Sequence, residues 1–125
     1  MTFLEKTWFD NEIIVDTPVV TGKPDTPSDT GLFKIYDIDY NRYLVGPGYK
    51  SYVDRFAPYN GGEGLHDAEV HRHEDGTRHG WRKYSAFGGE TYIKNGSHGC
   101  INMRQEDSAT VFDYIEHGTK VLVKE

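Results

Sequence analysis

The sequence predicts a mainly β fold, an antiparallel β-sandwich with one short α-helix, and three observations carry that prediction. Nine Tyr, six Phe and two Trp among 125 residues favour strands, and fourteen Gly supply turns. β-branched and aromatic residues fall in short runs bounded by Gly, Pro, Asn and Asp. Helical periodicity is confined to one stretch, 105–116. This length supports one core and not two, so 1–125 reads as a single domain, without internal repeats or low-complexity tracts.

The elements follow in order. Residues 7–9 and 12–20 read as two strands around an Asp10-Asn11 turn, with Ile13, Ile14, Val15, Val19 and Val20 supplying branched bulk. Lys23 to Thr30, which holds Pro24 and Pro27, is a loop. Residues 31–36 form the next strand, and the alternation from Asp37 to Tyr43 predicts a hairpin. Pro47-Gly48 marks a turn, and Phe56-Ala57-Pro58-Tyr59 leads through Gly61-Gly62 into a strand at Leu65-His66. Glu69 to Lys83 is charged, His-rich and without apolar period, the pattern of a surface excursion. The helix over 105–116 has Glu106 and Asp107 at its N-terminus, an apolar stripe of Ala109, Phe112 and Ile115, and Gly118 as its stop. Lys120 to Val123 is the closing strand.

Composition narrows the function mainly by exclusion. A net charge of -6 and a pI near 5.5 argue against nucleic acid, whose binders carry basic patches. No apolar run approaches the ~20 residues of a membrane span, so no transmembrane segment is expected, and Met1 to Lys6 is not a signal peptide.

The chemistry concentrates in Asn95-Gly96-Ser97-His98-Gly99-Cys100-Ile101-Asn102. Cys100 is the only cysteine, so no intramolecular disulfide is available to it, and its setting is that of a nucleophile. A thiolate needs help from an imidazole, oriented N–H groups or a helix N-terminus. His98, the flanking glycines and the following helix offer all three. The alternative for any lone Cys is a small buried hydrophobe.

This octapeptide resembles the active-site signature of the L,D-transpeptidase catalytic domain family, in which Ser/Thr-His-Gly-Cys precedes an apolar residue and Asn or Arg. Thr17-Pro18-Val19-Val20-Thr21-Gly22 resembles the family's early strand, and residues 26–35 its Thr-Pro-rich turn and following strand. Asn60-Gly61-Gly62-Glu63-Gly64-Leu65-His66-Asp67-Ala68 resembles the strand that carries the general base. Phe87-Gly88-Gly89, Tyr92 and Asn95-Gly96 resemble the approach to the nucleophile in a branch common among Gram-positive bacteria. The resemblance runs from about residue 8 to the end. It implies the β-sandwich with its helix after the catalytic cysteine, and a cysteine acyltransferase of peptidoglycan synthesis.

Two histidines compete for the role of base. Spacing favours His79, with 17 residues between it and Ser97, against 30 for His66. Local sequence favours His66, because Gly64-Leu65-His66-Asp67-Ala68 matches the family's base strand and a strand end holds a base more rigidly than a loop. Taking His66 implies an insertion within 69–80, whose His71, His73 and His79 lie beside Glu69, Glu74 and Asp75. A His-x-His pair near carboxylates also suits a transition metal and a zinc hydrolase. No His-Glu-x-x-His or paired-Cys signature accompanies it, so no metal and no cofactor are expected.

The resemblance implies ping-pong transfer from a peptidoglycan tetrapeptide stem, with Cys100 as nucleophile, His66 as base, and Asp67 or a backbone carbonyl orienting the imidazole. The N–H groups of Gly99 and Cys100 are the expected oxyanion donors, and His98 shapes that pocket. Ser97, Asn102, Trp81 and Tyr92 are the expected substrate contacts. An L,D-carboxypeptidase or endopeptidase on the same scaffold and a non-catalytic wall-binding module are the alternatives. Carbapenem-type β-lactams are expected to acylate Cys100. A monomeric catalytic domain from a longer secreted or anchored precursor, acting at the cell wall, completes the expectation.

Overall fold

The computed structural model describes residues 1–6, 11–46, 48–72 and 77–124. The expected strand at 7–9, Asp10 of its turn, Pro47, and His73, Glu74 and Asp75 of the His-rich segment lie outside the described residues.

β1 (Thr2–Lys6) and β2 (Asn11–Asp16) pair antiparallel with a register shift between Phe3 and Leu4. The strand expected over 12–20 therefore stops at Asp16. Pro18 has no N–H to continue a ladder, and beyond it Val20 forms only an isolated bridge with Asn102. β3 (Gly31–Lys34) pairs antiparallel with β10 (Lys120–Val123), the strand expected to close the domain.

The central sheet has four strands in the order β4-β5-β6-β9. β4 (Asp39–Gly46) and β5 (Tyr49–Asn60) form a long antiparallel hairpin, and β5 pairs antiparallel with β6 (Glu63–Asp67). The alternation at 37–43 thus belongs to one arm of this hairpin and not to a hairpin of its own. The register shifts between Pro58 and Asn60, where Pro58 has no amide to donate. Opposite Pro58 stands Gly64, where a Cβ would come within 2.6 Å of the Ala57 carbonyl oxygen and 2.8 Å of the Pro58 Cα. Only glycine permits that approach.

β9 (Ile101–Met103) adds to β6 in parallel, with Leu65 opposite Ile101 and His66 opposite Asn102. That pairing modifies the antiparallel expectation and brings the base strand beside the cysteine segment. β7 (Val70–Arg72) and β8 (Arg78–Gly80) form a small hairpin inside the expected surface excursion.

Among the described residues two helices are present where one was expected. α1 (Thr91–Asn95) is a short helix leading into the cysteine motif, and α2 (Gln105–Phe112) follows β9. α2 ends earlier than the predicted 116, although Tyr114 and Ile115 still donate to the Val111 carbonyl. Its first turn is capped from a distance, because the Gln105 N–H donates to Glu69 Oε1 at 2.7 Å. Its buried face is Ser108, Val111 and Phe112, with Ile115 beyond the helix. Phe112 and Ile115 were in the expected stripe, whereas Ala109 is only half-buried.

The main core joins Ile35, Ala57, Leu65, Met103, Val111 and Phe112, with Phe33 of β3 packed against it, so β3, β5, β6, β9 and α2 share one apolar interior. A second cluster of Val20, Ala68 and Phe87 lies toward the cysteine side, with Trp81 packed against it.

Candidate active site

Gly64 through Asp67 are all buried, because β6 runs between β5 and β9. His66 is 3% exposed, and its ring stacks on Trp81 with centroids 5.7 Å apart. Its Nδ1 lies 2.7 Å from the Asp67 carbonyl oxygen. A carbonyl only accepts, so this contact assigns the proton to Nδ1 and leaves the Nε2 lone pair as the basic atom. Burial lowers the His66 pKa to about 4, aided by the charge of Arg82 and opposed by the Asp67 hydrogen bond.

Asp67 meets the two expectations differently. Its backbone carbonyl contacts the imidazole, whereas its carboxylate accepts the backbone N–H of Arg55 at 2.8 Å and of Asp54 at 3.3 Å. Desolvation raises the carboxyl pKa against those hydrogen bonds. The side chain therefore ties β6 to β5 and faces away from His66 chemistry.

The cysteine loop is fixed by its backbone. Ser97 donates from its N–H to the Thr21 carbonyl, and its own carbonyl accepts from the Lys23 N–H and from the Thr26 hydroxyl. The Ser97 hydroxyl donates to the Cys100 carbonyl and accepts the Gly99 N–H at 3.1 Å. Gly99 holds φ at +127°, a conformation that disfavours any side chain, and is itself buried. Cys100 follows, half-buried, its thiol 3.6 Å from the Gly62 carbonyl oxygen. Burial and the nearby Glu63 carboxylate raise the thiol pKa, partly offset by a hydrogen bond from the Gly64 backbone.

Because the Gly99 N–H is engaged by Ser97, the expected pair of oxyanion donors is not free in this state. Cys100 and His66 line one cleft of about 370 Å³ with His98, Ser97, Asn102 and Trp81. His98 is exposed on its wall. Asn102 is 1% exposed and its Oδ1 has no hydrogen-bond partner among the described residues, so a buried acceptor faces this region unsatisfied. Tyr92 departs from expectation: it lies on α1, 38% exposed, and is absent from the cleft lining among the described residues.

His79 stands on β8 with its backbone paired to His71 of β7. Among the described residues, no group of three or more His, Cys, Asp or Glu side chains is placed to hold a metal ion. Glu69, which the sequence grouped with the metal candidates, has an oxygen committed to capping α2.

Sequence reasoning missed Arg42, Leu44 and Val45 of β4, Phe56 of β5, and Arg82, all of which line the cleft. Arg42 pairs with Asp39 at 2.7 Å and lies over the Phe56 ring. For the β4 and β5 residues the signal is the length of the hairpin, which carries β4 across to the cysteine side; Arg82 follows β8 and has no such signal.

The match to known proteins agrees with this geometry. Residues 3–123 match the family model of the YkuD L,D-transpeptidase catalytic domain. The chain belongs to this family. A cysteine-to-serine mutant of the Enterococcus faecium L,D-transpeptidase is 30% identical over 90% of the chain, with a TM-score of 0.77, and 42% of that structure is covered. The catalytic domain of the E. faecium L,D-transpeptidase acylated by ertapenem is 31% identical over 90% of the chain, with a TM-score of 0.71 and 82% of that structure covered. An L,D-transpeptidase from Mycobacterium tuberculosis, 23% identical with a TM-score of 0.69 over 90% of the chain, shares the fold. The chain thus spans less than half of the longer L,D-transpeptidase structures it matches. The Enterococcus likeness agrees with the Gram-positive-type branch expected from Phe87-Gly88-Gly89 and Asn95-Gly96. A search of curated protein sequences gives no match. No helix among the described residues is long and apolar enough to cross a membrane.

Proposed function

We propose that this L,D-transpeptidase catalytic domain transfers the acyl group of a peptidoglycan tetrapeptide stem to the side-chain amine of a second stem, forming a 3-3 type cross-link. The observation that carries the reading is the Nδ1–H of His66 held on the Asp67 carbonyl, which leaves Nε2 as a proton acceptor in the cleft that also exposes Cys100. The Cys100 thiol gives its proton to Nε2 as sulfur attacks the carbonyl of the third stem residue. The tetrahedral oxyanion is held by the Cys100 N–H, since Ser97 engages the Gly99 N–H. The imidazolium then protonates the D-alanine nitrogen, the C–N bond breaks, and a thioester remains. The acceptor amine attacks that thioester, its proton passes to His66, and the thiol is regenerated.

Asn102 supports this reading, because its unsatisfied Oδ1 suits a peptide N–H. Trp81 walls the cleft and keeps His66 dry, while His98 shapes its entrance. The same machinery predicts acylation of Cys100 by carbapenems, as in the ertapenem-acylated E. faecium domain. A domain with this activity would meet its substrate outside the cytoplasm, at the wall.

Intact-mass and product analysis with a disaccharide tetrapeptide tests the proposal, with and without an amine acceptor. A cross-linked dimer that disappears in Cys100→Ala and His66→Ala, but persists in His79→Ala, is expected. D-Alanine release without dimer would identify a carboxypeptidase, and activity lost only in His79→Ala would move the base to β8.

A further inference from the structure

We propose that a basic pocket beside the catalytic cleft, lined by Lys23, Arg82, Lys83 and Lys94, binds a carboxylate of the peptide substrate. The pocket measures about 420 Å³ and shares Trp81, Arg82 and Gly96 with the cleft that holds Cys100. Four cationic residues line it on a chain whose net charge is -6. Among the described residues no carboxylate pairs with Arg82 or with any of the three ammonium groups. Lys94 occupies the last turn of α1, where a cation is favourable in any case, but the other three have no such local reason.

Arg82 is the residue that ligand chemistry would select. It is half-buried, one terminal nitrogen donates to the Asn95 carbonyl at 2.7 Å, and its buried Nε has no partner. Burial without a compensating anion lowers its pKa. A guanidinium offers a planar donor fork that matches a carboxylate, and three nearby ammonium groups add attraction without fixed geometry.

Gly96 also lines the pocket, and a Cβ there would come within 2.7 Å of the Lys23 backbone nitrogen and 2.9 Å of the Thr21 carbonyl oxygen. Gly96 leads directly into Ser97, so an anion held here is anchored on the loop that carries the nucleophile. The bound carboxylate sits beside the reacting carbonyl and adds affinity and register. This inference rests on the reading of the cleft as a peptide site.

The test measures binding by calorimetry to the Cys100→Ala protein, which removes turnover from the readout. Three tetrapeptides that include one acidic residue are compared: the parent, its C-terminal amide, and the amide of the acidic residue. One amide is expected to bind about five-fold more weakly than the parent, at low ionic strength where exposed charges act. In Cys100→Ala/Lys83→Gln/Lys94→Gln that discrimination should shrink toward unity, with thermal stability unchanged because both lysines are exposed. Equal binding of all three peptides, or discrimination undiminished in the lysine variant, would overturn the pocket while leaving the cleft reading intact. Failure of every peptide to bind would overturn both. Inorganic phosphate that binds the protein but leaves peptide affinity unaltered would place the anion site outside the peptide path and also refute the proposal.

Discussion

Burial lowers His66 to about 4 and raises the Cys100 thiol, so at neutral pH both groups are uncharged. That arrangement differs from a preformed thiolate–imidazolium pair, and it makes His66 a general base that acts during attack. The rate of Cys100 alkylation by iodoacetamide should therefore climb through the alkaline range with no plateau near neutrality. A flat profile from pH 6 to 8 would contradict it. Stability should respond at the acid end. The unfolded His66 binds a proton near 6.5 and the folded one only near 4, so the unfolded state holds more protons in that window and stability falls as pH falls through it. The loss attributable to His66 is about 3 kcal/mol by pH 4, and the difference between wild type and His66→Phe in urea titrations should show it. The residue types behind this chemistry are written in Gly64-Leu65-His66-Asp67 and Ser97-His98-Gly99-Cys100. Their division of labour is not, because whether Asp67 orients the imidazole by carboxylate or carbonyl depends on which β5 amides stand opposite.

Elements turn these residues into a site. β9 lies parallel to β6 and sets Asn102 opposite His66, while the tight loop from Gly96 to Gly99 presents Cys100 just before β9 begins. Periodicity located β10 and the start of α2 well, since both carry regular patterns with clear boundaries. It failed at 37–43, where alternation specifies a strand without specifying its partner, and at α1, whose five residues are too few for a helical period. It also treated 69–83 as surface, although Glu69 reaches across to cap α2, and Trp81 and Arg82 return to line the cleft. Such contacts span distant sequence, so no local pattern announces them. Glu69→Ala should lower stability by about 1 kcal/mol, since the Gln105 amide loses its acceptor and the helix N-terminus loses a carboxylate. Chemical denaturation reads this directly, and an unchanged midpoint would mean that water replaces the cap.

At the scale of the molecule, the cleft stands on a core closed by the two ends of the chain. The Met1 amino group donates to the Thr17 carbonyl at 2.8 Å, Phe3 and Val15 pack on the main cluster, and β10 supplies Val121 and Val123 while pairing with β3. None of these residues lines the cysteine cleft. Deleting 120–124 removes the partner strand of β3 together with Val121, Leu122 and Val123 and leaves Phe33 uncovered; the two half-buried valines that pack on the core contribute on the order of 1 kcal/mol each, and loss of the β3 ladder adds to that. A domain of this size holds about 5–15 kcal/mol in total, so the truncated chain should be largely unfolded at 37 °C and unreactive toward ertapenem. The milder Val121→Ala should instead lower the urea midpoint while leaving the rate of Cys100 acylation at 25 °C unchanged. A slowed acylation in that variant, with the folded fraction intact, would show that β10 shapes the site and not only the core beneath it.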